Sequence, residues 1–472
     1  MRYDTVIIGA GLSGLAAGIR LAHFDRRVCL LERHTTIGGL NSFYRLRGRT
    51  HDVGLHAVTN YNPKGSKSGP LPRILRQLRF SWDDFGFSPQ VSSKISFPGV
   101  TLRFSNDPGL LESEIALRFP GEIEGFRRLV KFVEDQPWGT AFPTSMTARG
   151  TLAEYLRDPL LIEMLLYPVL FYGSAAPHDV ELTQFLILFR SIYRDGFARP
   201  YEGVRRILSV LVKRFRHLGG EIRLRSGVQA IESRSGKAVA VVLDDGTRIE
   251  ADTILSSAGS VETARLCEAG LSEDVANGDS PAIPSQVPGE LTFFESIAML
   301  DRPPAELGIP ETTMFYCGTP RFRYQNPGEP CNVDSGVICS PNNFAYELPL
   351  PESTLRLTVM ANNRFWFERP SEEDYQEQKR IWRERIFAAA LSHIPDFRPN
   401  IVDIDTFSPR TIRKYTGHHN GCVYGSPHKQ WDGTTHLSNL FLCGTDQGML
   451  GIVGAMFSGI SMANKHVLGS QG

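Results

Sequence analysis

The sequence predicts an α/β fold: a Rossmann-like dinucleotide-binding domain built from separated stretches of chain, with a second domain interrupting it. Three observations predict this. Residues 3–8 form a β-branched run that leads into Gly9-Ala10-Gly11-Leu12-Ser13-Gly14, a helical stretch over 15–24 and a strand over 27–32. Strand, glycine turn, helix and strand within about 30 residues is the context that makes a bare G-x-G-x-x-G informative. A second αβ passage lies at 204–256, and a third such segment, Leu440-Phe441-Leu442-Cys443 with a glycine-rich stretch and helix after it, lies near the end.

The elements come in order along the chain. The first helix is rich in Ala and Leu and starts at the glycine turn. Helical periodicity over 204–218 stops at Gly219-Gly220, and the chain resumes as a strand at 221–224. Strands at 228–232 and 238–243, the turn Asp244-Asp245-Gly246 and a strand at 247–251 read as a meander of hairpins, followed by an apolar strand at 253–256. Tracts at about 60–200 and 285–420 are dense in Pro, Phe and Tyr and lack this rhythm. The expected division is 1–60, 200–285 and 425–472 for a cofactor-binding domain, and 61–199 and 286–424 for a substrate-binding domain. The segment 270–288, carrying Gly, Pro, Ser and Asp, is the expected exposed connector.

A length of 472 residues calls for several domains, and 41% hydrophobic residues supply large cores. Lys+Arg and Asp+Glu both number 51, so no net field favours nucleic acid as a partner. The seven cysteines are scattered, odd in number and never C-x-x-C, which predicts reduced thiols inside a cell. No charged n-region precedes the first strand, so a cytoplasmic location is expected. The uncharged runs 164–177 and 447–464 are respectively too short and too polar to predict a membrane span.

In the first turn, Gly9 permits the bend, Gly11 admits a pyrophosphate to the backbone and Gly14 lets helix and strand pack, so that Leu12 and Ser13 present the helix N-terminus to the phosphates. Glu32, at the end of the second strand with Arg33 beside it, offers a carboxylate to both ribose hydroxyls and would repel a 2′-phosphate there. FAD or NAD is predicted, not NADP.

The segments after Glu32 separate FAD from NAD. Thr35-Thr36-Ile37-Gly38-Gly39-Leu40-Asn41, then Asp52-Val53-Gly54-Leu55-His56, resemble segments of flavoprotein amine oxidases and carotenoid desaturases, and the tract from Asp52 to His56 is most similar to the phytoene desaturase, carotenoid isomerase and retinol saturase branch. Pro200-Tyr201-Glu202-Gly203-Val204, Gly219-Gly220-Glu221-Ile222-Arg223-Leu224 and Asp245-Gly246 resemble the same family, in which the backbone at the position of Val228 pairs with adenine. Ser408-Pro409-Arg410-Thr411, Tyr415-Thr416-Gly417, Gly421, Tyr424-Gly425, Gly444-Thr445-Asp446 and Gly451-Ile452-Val453-Gly454-Ala455 resemble its second flavin segment. The resemblance implies the GR2 type of flavoprotein fold with bound FAD. In it Asp446 meets the ribityl chain, and the Ile452 and Val453 amides face the flavin at a helix N-terminus. The chain departs from the family at Leu40, where many relatives carry Arg to reach the diphosphate; the contact is then lost or supplied by Asn41, Ser42 or a nearby arginine. It departs again at Leu450, where many carry Pro.

The resemblance further implies an apolar isoprenoid substrate that is desaturated, saturated or isomerised by hydride chemistry at flavin N5, with a membrane surface as the place of work. Two alternatives stand beside it: a hydroxysqualene or amine oxidoreductase on the same fold, and a flavin-binding lipid carrier without turnover. His56 is the one polar candidate for proton transfer near the ring, its alternative being a hydrogen-bonded structural histidine. The run 164–177 and the aromatics Phe185, Phe189, Tyr193 and Phe197 suit an apolar tunnel or membrane-dipping surface, although core packing is the preferred reading. His418-His419-x-x-Cys422 lacks the further ligands of a metal site.

Overall fold

A computed structural model describes residues 1–54, 56–271 and 282–469; most of the expected connector, 272–281, and Leu55 of the Asp52–His56 segment lie outside the described residues. The strand Arg2–Ile8 runs parallel to Val28–Leu31 on one side and to Arg248–Ser256 on the other, pairing Thr5 with both Val28 and Thr253. Helices cover a parallel sheet on both faces, which is why Val6, Ile7, Leu30 and Leu31 are apolar in succession and all buried. The complete sheet runs Val228–Arg234, Lys237–Leu243, Arg248–Ser256, Arg2–Ile8, Val28–Leu31, Glu221–Arg223, with Leu440–Leu442 parallel to the end of Arg248–Ser256.

Two local expectations change. The first helix is Leu12–Ala22, starting inside the glycine turn because Gly11 is itself the cap residue. The strands expected at 247–251 and 253–256 are one strand, Arg248–Ser256. Its beginning pairs antiparallel with Lys237–Leu243 and its end parallel with Arg2–Ile8, so Asp252 interrupts the apolar pattern without interrupting the ladder.

A second seven-stranded sheet runs Ile401–Phe407, Thr292–Leu300, Ser353–Ala361, Ser335–Cys339, Thr313–Cys317, Ser93–Phe97, Val100–Phe104. Its pairs are antiparallel except Thr313–Cys317 with Ser93–Phe97. Against it packs a helical layer that includes Pro159–Gly173 and Leu182–Phe189. Phe185, Phe189 and Phe197 are fully buried in that core and Tyr193 nearly so, in agreement with core packing rather than a membrane-facing stripe. The chain leaves the helix through a π turn at Arg190–Arg194, which breaks the four-residue spacing. Among the described residues no helix is long and apolar enough to cross a membrane.

Candidate functional site

A cavity of about 500 Å³ opens between the two sheets. Its glycine-rich side is set by two helix N-termini. Leu12–Ala22 begins at Gly11 with no side-chain cap and no acidic residue in its first turn, and Gly451–Met462 begins at Leu450 in the same condition. Both present unsatisfied backbone N–H groups and the positive end of a helix dipole. They meet because the helices touch: a Cβ on Gly459 would stand 2.0 Å from the Ser13 carbonyl oxygen. Gly14 is equally tight, its would-be Cβ 2.2 Å from the Gly9 carbonyl oxygen, whereas one on Gly11 would find open space. The wall is thus a cradle bounded by backbone and free amides, which fits an anionic diphosphate.

Of the residues singled out in the sequence, Gly9, Gly11, Leu12 and Ser13 line the cavity, as do Glu32 and Arg33. Gly39, Leu40 and Asn41 form an adjoining stretch of wall, and Val228, Gly444, Ile452 and His56 complete it. Glu32 is buried; its Oε2 accepts from Ala10 N at 2.9 Å and its Oε1 from His34 N at 2.9 Å, so the carboxylate is aimed before any ligand arrives. Where the family's arginine is replaced by Leu40, Arg33 and Arg265 line the same wall.

Gly14, Val453 and Asp446 are not part of the wall. Gly14 takes a packing position, and Val453 is fully buried in the core behind the last helix. Asp446 is met by protein groups. Its carboxylate accepts from Ser260 N at 2.6 Å and Ser426 N at 2.7 Å and lies 3.7 Å from Lys429 Nζ, both side chains being almost fully buried. A desolvated carboxylate satisfies itself with the nearest donors, and here those are protein groups that pin the turn before the last helix to two other loops. His418 and His419 gather around a carboxylate: His418 Nδ1 is 3.5 Å from Glu262, and His419 N donates to it at 2.8 Å. Burial opposes the charge on His418, but Glu262 and Asp446 outweigh it and raise its pKa.

The opposite side of the cavity is aromatic and carries charges that sequence reasoning missed. Phe171 and Tyr172 come from Pro159–Gly173, Phe293 from the second sheet and Tyr424 from a loop. Strand register then sets Phe407, Glu295 and Thr358 side by side across three strands, all facing the cavity. Two residues before Thr358, on the same face, Arg356 Nε donates to Glu295 Oε1 at 2.5 Å. His56 Nε2 lies 3.0 Å from Thr358 Oγ1 and 3.4 Å from Glu295 Oε1. Burial alone would raise the Glu295 carboxyl; the Arg356 guanidinium and His56 outweigh it and hold its pKa at about 2. The available signal was one charged residue inside each of two apolar strands, TFFESIAML and STLRLTVMA, since an isolated buried charge demands a partner.

Comparison with known proteins bears on the family likeness and the fold. A family model described as an NAD(P)-binding Rossmann-like domain matches residues 7–78. The chain is 21% identical to prolycopene isomerase 2, chloroplastic, of an Oncidium hybrid cultivar, over 98% of this chain and 83% of the relative. It is 25% identical to all-trans-retinol 13,14-reductase of Rattus norvegicus, over 96% and 84%. It is 28% identical to the neurosporene-forming phytoene desaturase of Rhodobacter capsulatus, over 55% and 53%. Among solved structures, an oxidoreductase from Methanosarcina mazei superposes with a TM-score of 0.66 at 18% identity, covering 98% of this chain and 100% of that one. Wild-type putrescine oxidase bound to putrescine superposes at 0.63 and 16%, covering 99% of both. The structural likenesses establish the mixed α/β fold with its Rossmann-like domain.

Proposed function

We propose that this chain, which resembles the phytoene desaturase, carotenoid isomerase and retinol saturase family along its length, is an FAD-dependent oxidoreductase acting on a long apolar isoprenoid. The observation that carries the reading is one cavity with a diphosphate cradle at two uncapped helix N-termini on one side and Phe171, Tyr172, Phe293 and Tyr424 on the other. FAD bound there would accept or donate hydride. The residues of this chain bind, orient and keep water out. Leu12 and Ser13 amides hold the diphosphate, Glu32 accepts from the ribose hydroxyls, the backbone at Val228 meets adenine, and Arg33, Gly39, Leu40 and Asn41 close the wall around them. Gly444 shapes the turn before the last helix, whose first turn, with the Ile452 and Val453 amides, offers donors and a positive dipole end to negative charge on the ring. The aromatic side excludes water and accepts an apolar chain. His56 is the side chain placed to hold or move a proton.

The strands of the first sheet fall within 1–60, 200–285 and 425–472, and those of the second within 61–199 and 286–424. That supports the division into a discontinuous FAD-binding domain and a substrate-binding domain.

The test is to purify the protein, record its visible spectrum, release and identify the cofactor, and extract co-purifying lipid for mass spectrometry. Oxidised-flavin absorbance, FAD rather than FMN on denaturation, and an isoprenoid in the extract are expected. A colourless protein that cannot be reconstituted with FAD overturns the reading. Turnover of a soluble amine moves it to the amine oxidoreductase alternative, and bound flavin and lipid with no turnover of prolycopene, phytoene or retinol moves it to the lipid carrier.

A further inference from the structure

We propose that Glu295, clamped by Arg356, is a positioning residue that fixes the tautomer of His56 so that the Nδ1 lone pair is presented to the cavity, making His56 a proton acceptor there. The role of His56 rests on the functional reading above; the positioning does not.

Donors and acceptors around His56 decide its tautomer. Arg356 Nε donates to Glu295 Oε1, and that same oxygen lies 3.4 Å from His56 Nε2. An ionised carboxylate only accepts, so a lone pair on Nε2 would face a negative oxygen in a desolvated place. Nε2 must therefore carry the proton. Thr358 Oγ1, at 3.0 Å, completes the arrangement as a second acceptor. With Nε2 protonated, the neutral ring keeps its lone pair on Nδ1, which has no hydrogen-bond partner among the described residues, and His56 lines the cavity. The other groups against His56 do not compete for Nδ1: Tyr172 stands edge-on at 6.3 Å between ring centroids, and Cys339 Sγ donates to the His56 carbonyl.

The arrangement serves C=C formation and, run in reverse, returns the proton in saturation. When a C=C bond is formed from two neighbouring C–H groups, one hydrogen leaves as hydride, for which the oxidised flavin of the functional reading is the acceptor. The other leaves as a proton to Nδ1, and its C–H electron pair becomes the π bond. The imidazolium so formed lies beside the Glu295 carboxylate, which stabilises it. Arg356 is not on the cavity wall and acts through Glu295, and Glu295 acts through His56.

Nitrogen-15 NMR of histidine-labelled protein tests this, with the His56 signals assigned by their loss in His56→Gln. The wild-type protein as purified is expected to show a single neutral tautomer protonated at Nε2, and Thr358→Val is expected to keep it. The double variant Glu295→Gln/Arg356→Met removes both buried charges together, so the fold is not left with one unpaired. It is expected to show both tautomers and at least a tenfold loss of turnover on whichever of phytoene or all-trans-retinol the wild type converts. A wild-type His56 protonated at Nδ1, or a double variant with an unchanged tautomer, overturns the proposal; the wild-type measurement decides even if the variant fails to fold. A fixed Nε2–H tautomer in a protein that binds no FAD leaves the positioning standing and overturns the functional reading instead.

Discussion

At the scale of single residues, Glu32 and Asp446 are alike in the sequence, each a carboxylate beside a glycine turn, and the structure gives them different work. Glu32 is on the cavity wall, so Glu32→Ala is expected to weaken FAD binding by about 10- to 100-fold, the worth of a charge-assisted hydrogen bond, and Glu32→Gln, which keeps one acceptor, by less; titration of the apoprotein with FAD measures both. Asp446 faces Lys429, whose ammonium is almost completely buried and whose pKa burial pulls down. Asp446→Ala is therefore expected to cost about 3–5 kcal/mol of stability and to abolish cofactor retention only as a consequence. Calorimetry decides, since an unchanged melting temperature with weakened FAD affinity would return Asp446 to the cofactor. Glu295 adds a pH dependence. Its folded pKa of about 2 lies below the ordinary 4.5, so its contribution, on the order of 3 kcal/mol, is fully present above pH 4.5 and lost as pH falls from 4.5 toward 2. Melting temperatures across that range, compared with those of Glu295→Gln/Arg356→Met, are expected to converge at the acid end. The glycines and Glu32 were legible in the sequence because their chemistry is local. Glu295, Arg356 and Thr358 were not, because what unites them is strand register between residues some 60 positions apart.

At the scale of elements, the first βαβ unit was legible in its order and to within three residues at each boundary, since its glycines act within one turn. The strand Arg248–Ser256 reads as two in the sequence because a solvent-facing Asp252 resembles an end when the change of partner cannot be seen. The helical layer at 108–189 does not resolve into helices from sequence. Pro159–Gly173 is apolar on every side, because the core surrounds it, and so has no periodicity to read. The contact between the first and last helices was equally invisible, as a glycine that admits another backbone is like any other in the sequence. Gly459→Val puts a branched side chain where 2.0 Å separates Cβ from the Ser13 carbonyl. It is expected to push the two N-termini apart, lower the melting temperature by several degrees and release FAD, whereas Ala455→Val, on the same helix and lining the cavity, is expected to spare the fold. Melting curves paired with the visible spectrum distinguish the two outcomes.

At the scale of the whole molecule, the catalytic surface proposed here must receive a substrate that barely dissolves in water, from a chain whose described residues include no spanning helix. Reversible binding to liposomes is therefore expected, and flotation with neutral and anionic vesicles measures it; absence of binding to either, with turnover of a soluble amine, would favour the amine oxidoreductase. The crossing of the first and last helices reaches beyond geometry into time. One wall of the cradle is made with residues 11–13, and the other, at 452, only about 440 residues later. At about 5–20 residues per second the nascent chain spends roughly 20–90 s with half a binding site. On the functional reading proposed above, flavin acquisition follows translation, since the cradle is incomplete until the last helix has been made.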